Sequence, residues 1–377
     1  MKRRAVIVGV AESDLGVTPG LTAMDLMAQA ARRALDDAGL KVSDVDGLFS
    51  ATAFSTMPTP ALAEYLGIRP RFSESTNVGG ASAEMHLLTA ALAIEAGLCD
   101  VALITYGSNQ RSVGGFVPTS TPVPYEAVYH PIYPISMYAL AARRHMHEFG
   151  TTPEQLAAVA VAARQWAALN PKAFKREPLT IDEVLGSRMV SSPLHKLDCC
   201  LVTDGGGAVV MTSEDRARDL KKKPVYLLGH GSVDSHRHIA QMPDLTVTGA
   251  AESGRRAFAQ AGLGPADMDF VQLYDAFTIN VILFLEDLGF CKKGEGGPFV
   301  SGGRIAPGGE LPVNTSGGGL SYTHPGMFGI FLIIEAVRQL RGECGPRQVP
   351  GAQVGLVHGN GGTLSSQVTA ILGTDAG

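Results

Sequence analysis

The stretch Arg32-Arg33-Ala34-Leu35-Asp36-Asp37-Ala38-Gly39-Leu40-Lys41-Val42-Ser43-Asp44-Val45-Asp46 returns 223 residues later as Arg255-Arg256-Ala257-Phe258-Ala259-Gln260-Ala261-Gly262-Leu263-Gly264-Pro265-Ala266-Asp267-Met268-Asp269. The fifteen positions align without a gap and eight are identical: Arg32/Arg255, Arg33/Arg256, Ala34/Ala257, Ala38/Ala261, Gly39/Gly262, Leu40/Leu263, Asp44/Asp267 and Asp46/Asp269. Ordinary residue usage gives about one match in fifteen at a single offset. Glycine closes many helices in a left-handed conformation, which accounts for the Ala-Gly-Leu part alone. The flanking arginines and aspartates need a duplicated α/β half.

Working outward, Ala5-Val6-Ile7-Val8-Gly9-Val10 reads as a strand, 22–38 as an amphipathic helix closed by Gly39, and 46–50 as a second strand, a βαβ opening. The second half opens at Val225-Tyr226-Leu227-Leu228, after the apolar run Ala208-Val209-Val210-Met211 and the charged stretch 213–224. Domain boundaries of 1–215 and 225–377 follow. Residues 108–196 read as an insertion with helical patches at 138–149 and 152–168, without a counterpart of that length in the second half, suited to covering a substrate.

Hydrophobic residues make up 45%, charged residues 18% and glycine 45 of 377 positions, the balance of a large α/β enzyme with tight turns. A net charge of −5 gives no positive field for nucleic acid, and Lys221-Lys222-Lys223 reads as a solvated linker. The five cysteines are odd in number and include no Cys-x-x-Cys pair, so a reducing, cytoplasmic setting is expected. The first residues are basic, then apolar, but meet Glu12 and Asp14 too soon for a signal peptide, and no run approaches the length of a membrane span. His145-x-His147 and His236-x-His238 diverge at a spacing of two on a helix and are expected at the surface; no metal is expected. Cys199 and Cys200 are read as part of an apolar strand with at least one buried.

Three glycine-rich turns follow apolar strands, where open α/β sheets bind ligands: Asn77-Val78-Gly79-Gly80-Ala81-Ser82-Ala83-Glu84, then Asn314-Thr315-Ser316-Gly317-Gly318-Gly319-Leu320-Ser321-Tyr322-Thr323-His324-Pro325-Gly326, then His358-Gly359-Asn360-Gly361-Gly362-Thr363. With Asn170-Pro171, Pro193-Leu194, Asp198-Cys199-Cys200, Asp204-Gly205-Gly206-Gly207 and Tyr274-Asp275-Ala276-Phe277, the ordered set resembles the thiolase superfamily, in its sterol-carrier and lipid-transfer branch, over essentially the whole chain. The resemblance implies a duplicated five-layered αβαβα fold, a coenzyme A thioester as substrate with no covalently bound cofactor, and a homodimer built through the strand leading into the first glycine turn. It also implies a separately encoded zinc-ribbon/OB-fold partner, giving a heterotetramer.

Thiolases attack with a cysteine in the first turn, where the helix N-terminus favours a thiolate. Gly80 stands at that place, and the nearest cysteine, Cys99, lies at the far end of the helix. His324 is the oxyanion candidate, with backbone donors at Gly80, Gly318 and Gly361. His358 stands where a second cysteine would shuttle protons, and its ordinary pKa suits that work. Tyr274-Asp275 replaces the family's Asn-Glu or His-Asp pair, and Tyr322 stands beside His324; the base is one of Tyr274, Tyr322 and His358. Ser82 and His86, one turn apart, read as a helix cap and a neighbour more than as a nucleophile pair. The resemblance then implies retro-aldol (or aldol) cleavage of a β-hydroxyacyl-CoA such as a steroid side-chain thioester. The alternatives are an acetyl-CoA acyltransferase acting on a 3-ketoacyl-CoA and a non-catalytic lipid or acyl-CoA carrier.

Overall fold

The computed structural model describes residues 3–114 and 124–375; the part of the expected insertion at 115–123 lies outside them. Its strands are β1 (Ala5–Glu12), β2 (Gly47–Ser50), β3 (Phe72–Glu74), β4 (Val101–Ser108), the hairpin β5 (Met189–Ser191) and β6 (Leu194–His195), then β7 (Gly205–Ser213), β8 (Val225–Asp234), β9 (Phe270–Leu273), β10 (Val354–Gly361) and β11 (Ser366–Gly373). Nine of them hydrogen-bond in the order β3-β2-β4-β7-β1-β8-β11-β10-β9. The duplication is visible in that order. β2-β4-β7-β1 is one half, β9-β10-β11-β8 the other, and in each the first pair is parallel and the next two are antiparallel. The halves meet at β1 and β8 through two residue pairs only, Val6 with Tyr226 and Ile7 with Val225.

The repeated fifteen residues have a physical reason. Gly39 and Gly262 close equivalent helices, Ala23–Ala38 and Ala250–Ala261, at φ of 77° and 69°. Asp44 accepts from the N–H of Lys41 and Asp267 from that of Gly264, each at 2.8 Å, winding the following turn. Asp46 accepts from the N–H groups of Asp100 and Val101, and Asp269 from those of Gln353 and Val354, so each pins the start of its half's second parallel strand. A β-carbon at Gly9 would lie 2.2 Å from the carbonyl of Ala34, and one at Gly229 would lie 2.1 Å from that of Ala257, so glycine lets each outer helix seat directly on its strand.

Two further helices, Ser82–Glu95 and Gly329–Arg341, lie between the half-sheets and touch strands of both. Layers therefore run outer helix, sheet, inner helices, sheet, outer helix, the expected αβαβα order. The inner helices are buried on nearly all sides, as an element between two apolar sheet faces must be. In the insertion, helices Ile135–Phe149 and Pro153–Ala168 form where the apolar periodicity placed them.

Three expectations fail. Cys199 and Cys200 are partly exposed and lie in an irregular segment, joined to the fold by an isolated bridge from Cys199 to Phe277. His145 is fully buried, with Nε2 against both carboxylate oxygens of Glu286 at 3.0 and 3.1 Å; the expectation counted only spacing along its own helix, not the helix packed across from it. His236 is half-buried, its ring held 3.0 Å from the carbonyl of Thr363.

Candidate active site

β9 ends at Leu273, and the next N–H, that of Tyr274, continues the parallel pairing by donating to the carbonyl of His358 at 3.0 Å. This aims the phenol of Tyr274 at the N-terminus of the Ser82–Glu95 helix. Gly79–Ala81 forms a 3-10 turn there, capped by Ser82, whose hydroxyl accepts from the N–H of Val78 and donates to the carbonyl of Gly79. Ser82 thus braces the turn that precedes the helix, whose N-cap is Ala81, and Nε2 of His86 has no hydrogen-bond partner among the described residues. A β-carbon on Gly80 would stand 2.4 Å from both Cε2 and Oη of Tyr274 and 2.5 Å from the carbonyl oxygen of Asn360. The tyrosine occupies the space that a side chain at position 80 would need.

Oη of Tyr274 lies 3.2 Å from Nε2 of His324 and accepts from the N–H of Phe328 at 3.1 Å. The imidazole stands edge-on to the phenol and stacks on Phe328, with centroids 5.7 and 5.9 Å apart. Its backbone is fixed from both sides, the N–H donating to Oγ1 of Thr203 and the carbonyl accepting from Gln110. Burial raises the Tyr274 phenol well above its usual range and lowers His324 to about 4, so both are neutral at pH 7. A neutral phenol donating to a neutral imidazole is an arrangement through which a proton can be handed on without isolating a charge.

The other candidates are placed differently. Asp275 accepts from the N–H of Gly319 at 2.6 Å, and a β-carbon on Gly318 would sit 2.0 Å from its Oδ2; burial pushes it up to about 7. It anchors the single π-helical turn Gly318–Tyr322 that leads into His324. Tyr322 donates to Oε1 of Glu12 at 2.7 Å. Arg338 and Lys172 also hold that carboxylate, and against the cost of burial they keep Glu12 far below the usual range. Tyr322 is buried and its pKa is raised.

His358 is on strand β10 and not in a turn. It stands edge-on to Phe284, and both ring nitrogens are engaged, Nδ1 with Thr369 at 2.9 Å and Nε2 with Gln367 at 2.8 Å. From Gln367 the chain continues to Asn360, to Tyr138 and to the carbonyl of Gly362. The chain ends beside the contact between the first and third glycine turns, where a β-carbon on Gly361 would lie 1.7 Å from the carbonyl oxygen of Val78. The structure brings together Gly80, Tyr274 and His324; Asp275 and Gly318 support them, and Tyr322 and His358 face other partners.

Two residues escaped sequence reasoning. Tyr138 reaches in from the insertion and packs at a tilt against Phe277, ring centroids 4.5 Å apart. Glu84 is fully buried between Gly80, Gly329 and Gly359, neither carboxylate oxygen has a hydrogen-bond partner among the described residues, and burial pushes it up to about 8. An acidic residue in the first turn of a largely buried inner helix was the available signal. Among the described residues there is no group of three metal-capable side chains and no helix long and apolar enough to cross a membrane.

A duplicated five-layer α/β fold whose site joins residues of both halves at an inner-helix N-terminus defines a thiolase-type acyl-thioester protein. The chain belongs to the thiolase superfamily, in its sterol-carrier-like branch. Residues 231–374 match the family described as thiolase C-terminal domain-like. The chain is 40% identical to the 17-hydroxy-3-oxo-4-pregnene-20-carboxyl-CoA lyase of Mycobacterium tuberculosis, over 90% of this chain and 92% of that protein. It is 35% identical to the acetyl-CoA acetyltransferase of Methanothermobacter thermautotrophicus, over 96% of this chain and 97% of that one. The solved structure of an Ltp2-ChsH2(DUF35) aldolase superposes with a TM-score of 0.87 at 34% identity, covering 98% of this chain and 97% of its own.

Proposed function

We propose that this enzyme cleaves the Cα–Cβ bond of a β-hydroxyacyl-CoA thioester by a retro-aldol reaction in which no residue becomes acylated. The observation that carries the reading is the Tyr274 hydroxyl in the space beside Gly80, 3.2 Å from His324. The β-hydroxyl proton passes to Oη of Tyr274 as the phenol's own proton moves to Nε2 of His324, so no buried phenolate forms. The Cα–Cβ electrons move onto the thioester as an enolate, and the β-carbon leaves as a carbonyl. The imidazolium, costly in a buried site without a counter-charge, is then paired with the enolate, and the N–H of Gly80 at the helix start is its second donor. Return of the proton through Tyr274 to the α-carbon yields a shortened acyl-CoA and restores both neutral groups.

The names of the relatives favour a steroid side-chain acyl group. The Ltp2-ChsH2(DUF35) assembly likewise favours a small partner, here proposed as a zinc-ribbon/OB-fold protein on a homodimer joined at the free edge of β3, working in the cytoplasm. The purified chain, with and without such a partner, is given β-hydroxyacyl-CoA thioesters and products are followed by mass spectrometry. Carbonyl plus shortened acyl-CoA, with no free CoA consumed, is the expected result; CoA-dependent cleavage of a 3-ketoacyl-CoA with an acylated enzyme would overturn it in favour of the acetyltransferase-like chemistry.

In this scheme His358 positions and does not transfer protons. Its two nitrogens are already satisfied, and the amides of Gln367 and Asn360 stand between it and Tyr138. His358→Gln is expected to lower kcat by less than about tenfold, the scale of one buried hydrogen bond, and to leave the pH–rate profile unmoved. Loss of a general base instead costs about 10²- to 10⁴-fold. A loss of that size together with a vanished pH limb would restore His358 as the base.

A further inference from the structure

Behind the catalytic phenol lies a carboxyl that the reaction scheme does not use. Glu84, in the first turn of the Ser82–Glu95 helix, is fully buried, and neither of its oxygens has a hydrogen-bond partner among the described residues. Its niche exists because two neighbours are glycine. A β-carbon on Gly329, at the start of the other inner helix, would stand 2.1 Å from Oε2, and one on Gly359, in β10, would stand 2.5 Å from Cδ. The Gly329 β-carbon would also stand 2.5 Å from the carbonyl oxygen of Gly80, so carboxyl and carbonyl crowd the same spot.

Each wall of that niche reaches Tyr274 directly or through the adjoining residue. Gly80 leaves the space that the phenol fills. Phe328, before Gly329, donates its N–H to Oη at 3.1 Å, and His358, before Gly359, accepts the N–H of Tyr274 at 3.0 Å. Three segments distant in sequence therefore meet on one side chain and together set where the phenol stands. A neutral acid can turn its O–H toward the Gly80 carbonyl, whereas a carboxylate can only repel that oxygen and draw water into a dry niche.

We propose that Glu84 is a positioning residue that locks the Gly80, Phe328 and His358 segments around Tyr274, acting on the reaction through the phenol without touching substrate. The inference rests on the reading of Tyr274 as the proton-transfer group. Because burial raises this acid to about 8, the lock is complete while the acid keeps its proton and is lost as the pH rises through that value. No neighbouring cation offsets the ionisation. Burial lowers His86 on the same helix, His230 on β8 and His358 on β10 to about 4, so all three are neutral, and it raises Tyr106 on β4 and Tyr274. From β1 and the Gly329–Arg341 helix, Glu12 pairs with Arg338 and Glu335 with Arg347, while β2, β7 and β11 carry no charged side chain.

The test follows the full chain on either side of that pH, as wild type, as Glu84→Gln, which keeps the shape and an N–H donor, and as Glu84→Met, which fills the niche and donates nothing. Wild-type kcat is expected to fall about tenfold per pH unit above the Glu84 titration, a limb that Glu84→Gln is expected to lack. Asp275, the other carboxyl raised into this range, to about 7, is intact in both proteins and cannot supply the difference. At pH 7, Glu84→Met is expected to have a kcat about tenfold below that of Glu84→Gln with KM little moved, the scale of one buried hydrogen bond. Amide hydrogen exchange, corrected for the intrinsic rate, reads the lock without turnover: the peptides holding Gly80, Phe328 and His358 should open together above the titration in the wild type and stay protected in Glu84→Gln. A limb that is missing from the wild type or persists in Glu84→Gln, equal kcat in the two variants, or wild-type exchange that ignores the pH overturns the lock. If no thioester is turned over, or Tyr274→Phe keeps full kcat, the reaction scheme fails, while the exchange still decides the role of Glu84.

Discussion

Tyr274→Phe is expected to lower kcat by about 10²- to 10⁴-fold with little change in KM, the range for removing a positioned proton-transfer group. The substitution isolates the hydroxyl because phenylalanine keeps the ring that fills the space beside Gly80 and packs edge-on against His324 and Phe328. The fold should persist at a cost of about 1–3 kcal/mol, since the N–H of Phe328 loses its acceptor in a buried site. Steady-state kinetics on the β-hydroxyacyl-CoA and a denaturation midpoint separate the two effects. Retention of wild-type kcat would remove Tyr274 from the chemistry and leave Tyr322 and His358 as the bases to test.

Gly80→Cys, which puts back the residue thiolases use, is expected to abolish cleavage without creating an acyltransferase. The new β-carbon would lie 2.4 Å from Tyr274 and 2.5 Å from the carbonyl oxygen of Asn360, far inside van der Waals contact. The phenol could swing away, but the carbonyl belongs to strand β10, where Asn360 pairs with Gln367, and has no such freedom. Overpacking of this kind costs about 1–3 kcal/mol, and here it also displaces the hydroxyl from His324. Intact-protein mass spectrometry after exposure to a 3-ketoacyl-CoA should show no adduct. An acyl group on the introduced thiol would mean that the backbone yields and that the acyltransferase chemistry is one substitution away.

The fold was legible because its determinants are local and repeated. Gly39 and Gly262, Asp44 and Asp267, and Asp46 and Asp269 each perform the same backbone task in their own half, so selection for that task left the same letters twice. The site was legible only where a motif position faces its own turn, as with Gly80 and His324. Tyr322, also a motif residue, turns to Glu12, more than three hundred residues distant in sequence, and nothing near Tyr322 announces that carboxylate. His358 was misplaced because a glycine-rich string reads as a loop, whereas here glycine lets β10 crowd against Val78 and Glu84. Glu84 and Tyr138 acquire meaning only when three layers are stacked.

The mutual exclusion of a side chain at position 80 and an aromatic ring at position 274 also bears on history. A lineage that began with a cysteine and a slim residue at these places cannot have reached the present pair by improving each step. Adding the ring first collides with the cysteine, and deleting the cysteine first leaves a hole and no nucleophile. The two chemistries sit on separate ridges with a valley of poorly working proteins between them, crossed most readily when a spare gene copy is free to fail. Among descendants, residues 80 and 274 should therefore change together, and chains that combine cysteine with tyrosine at these two places should be missing.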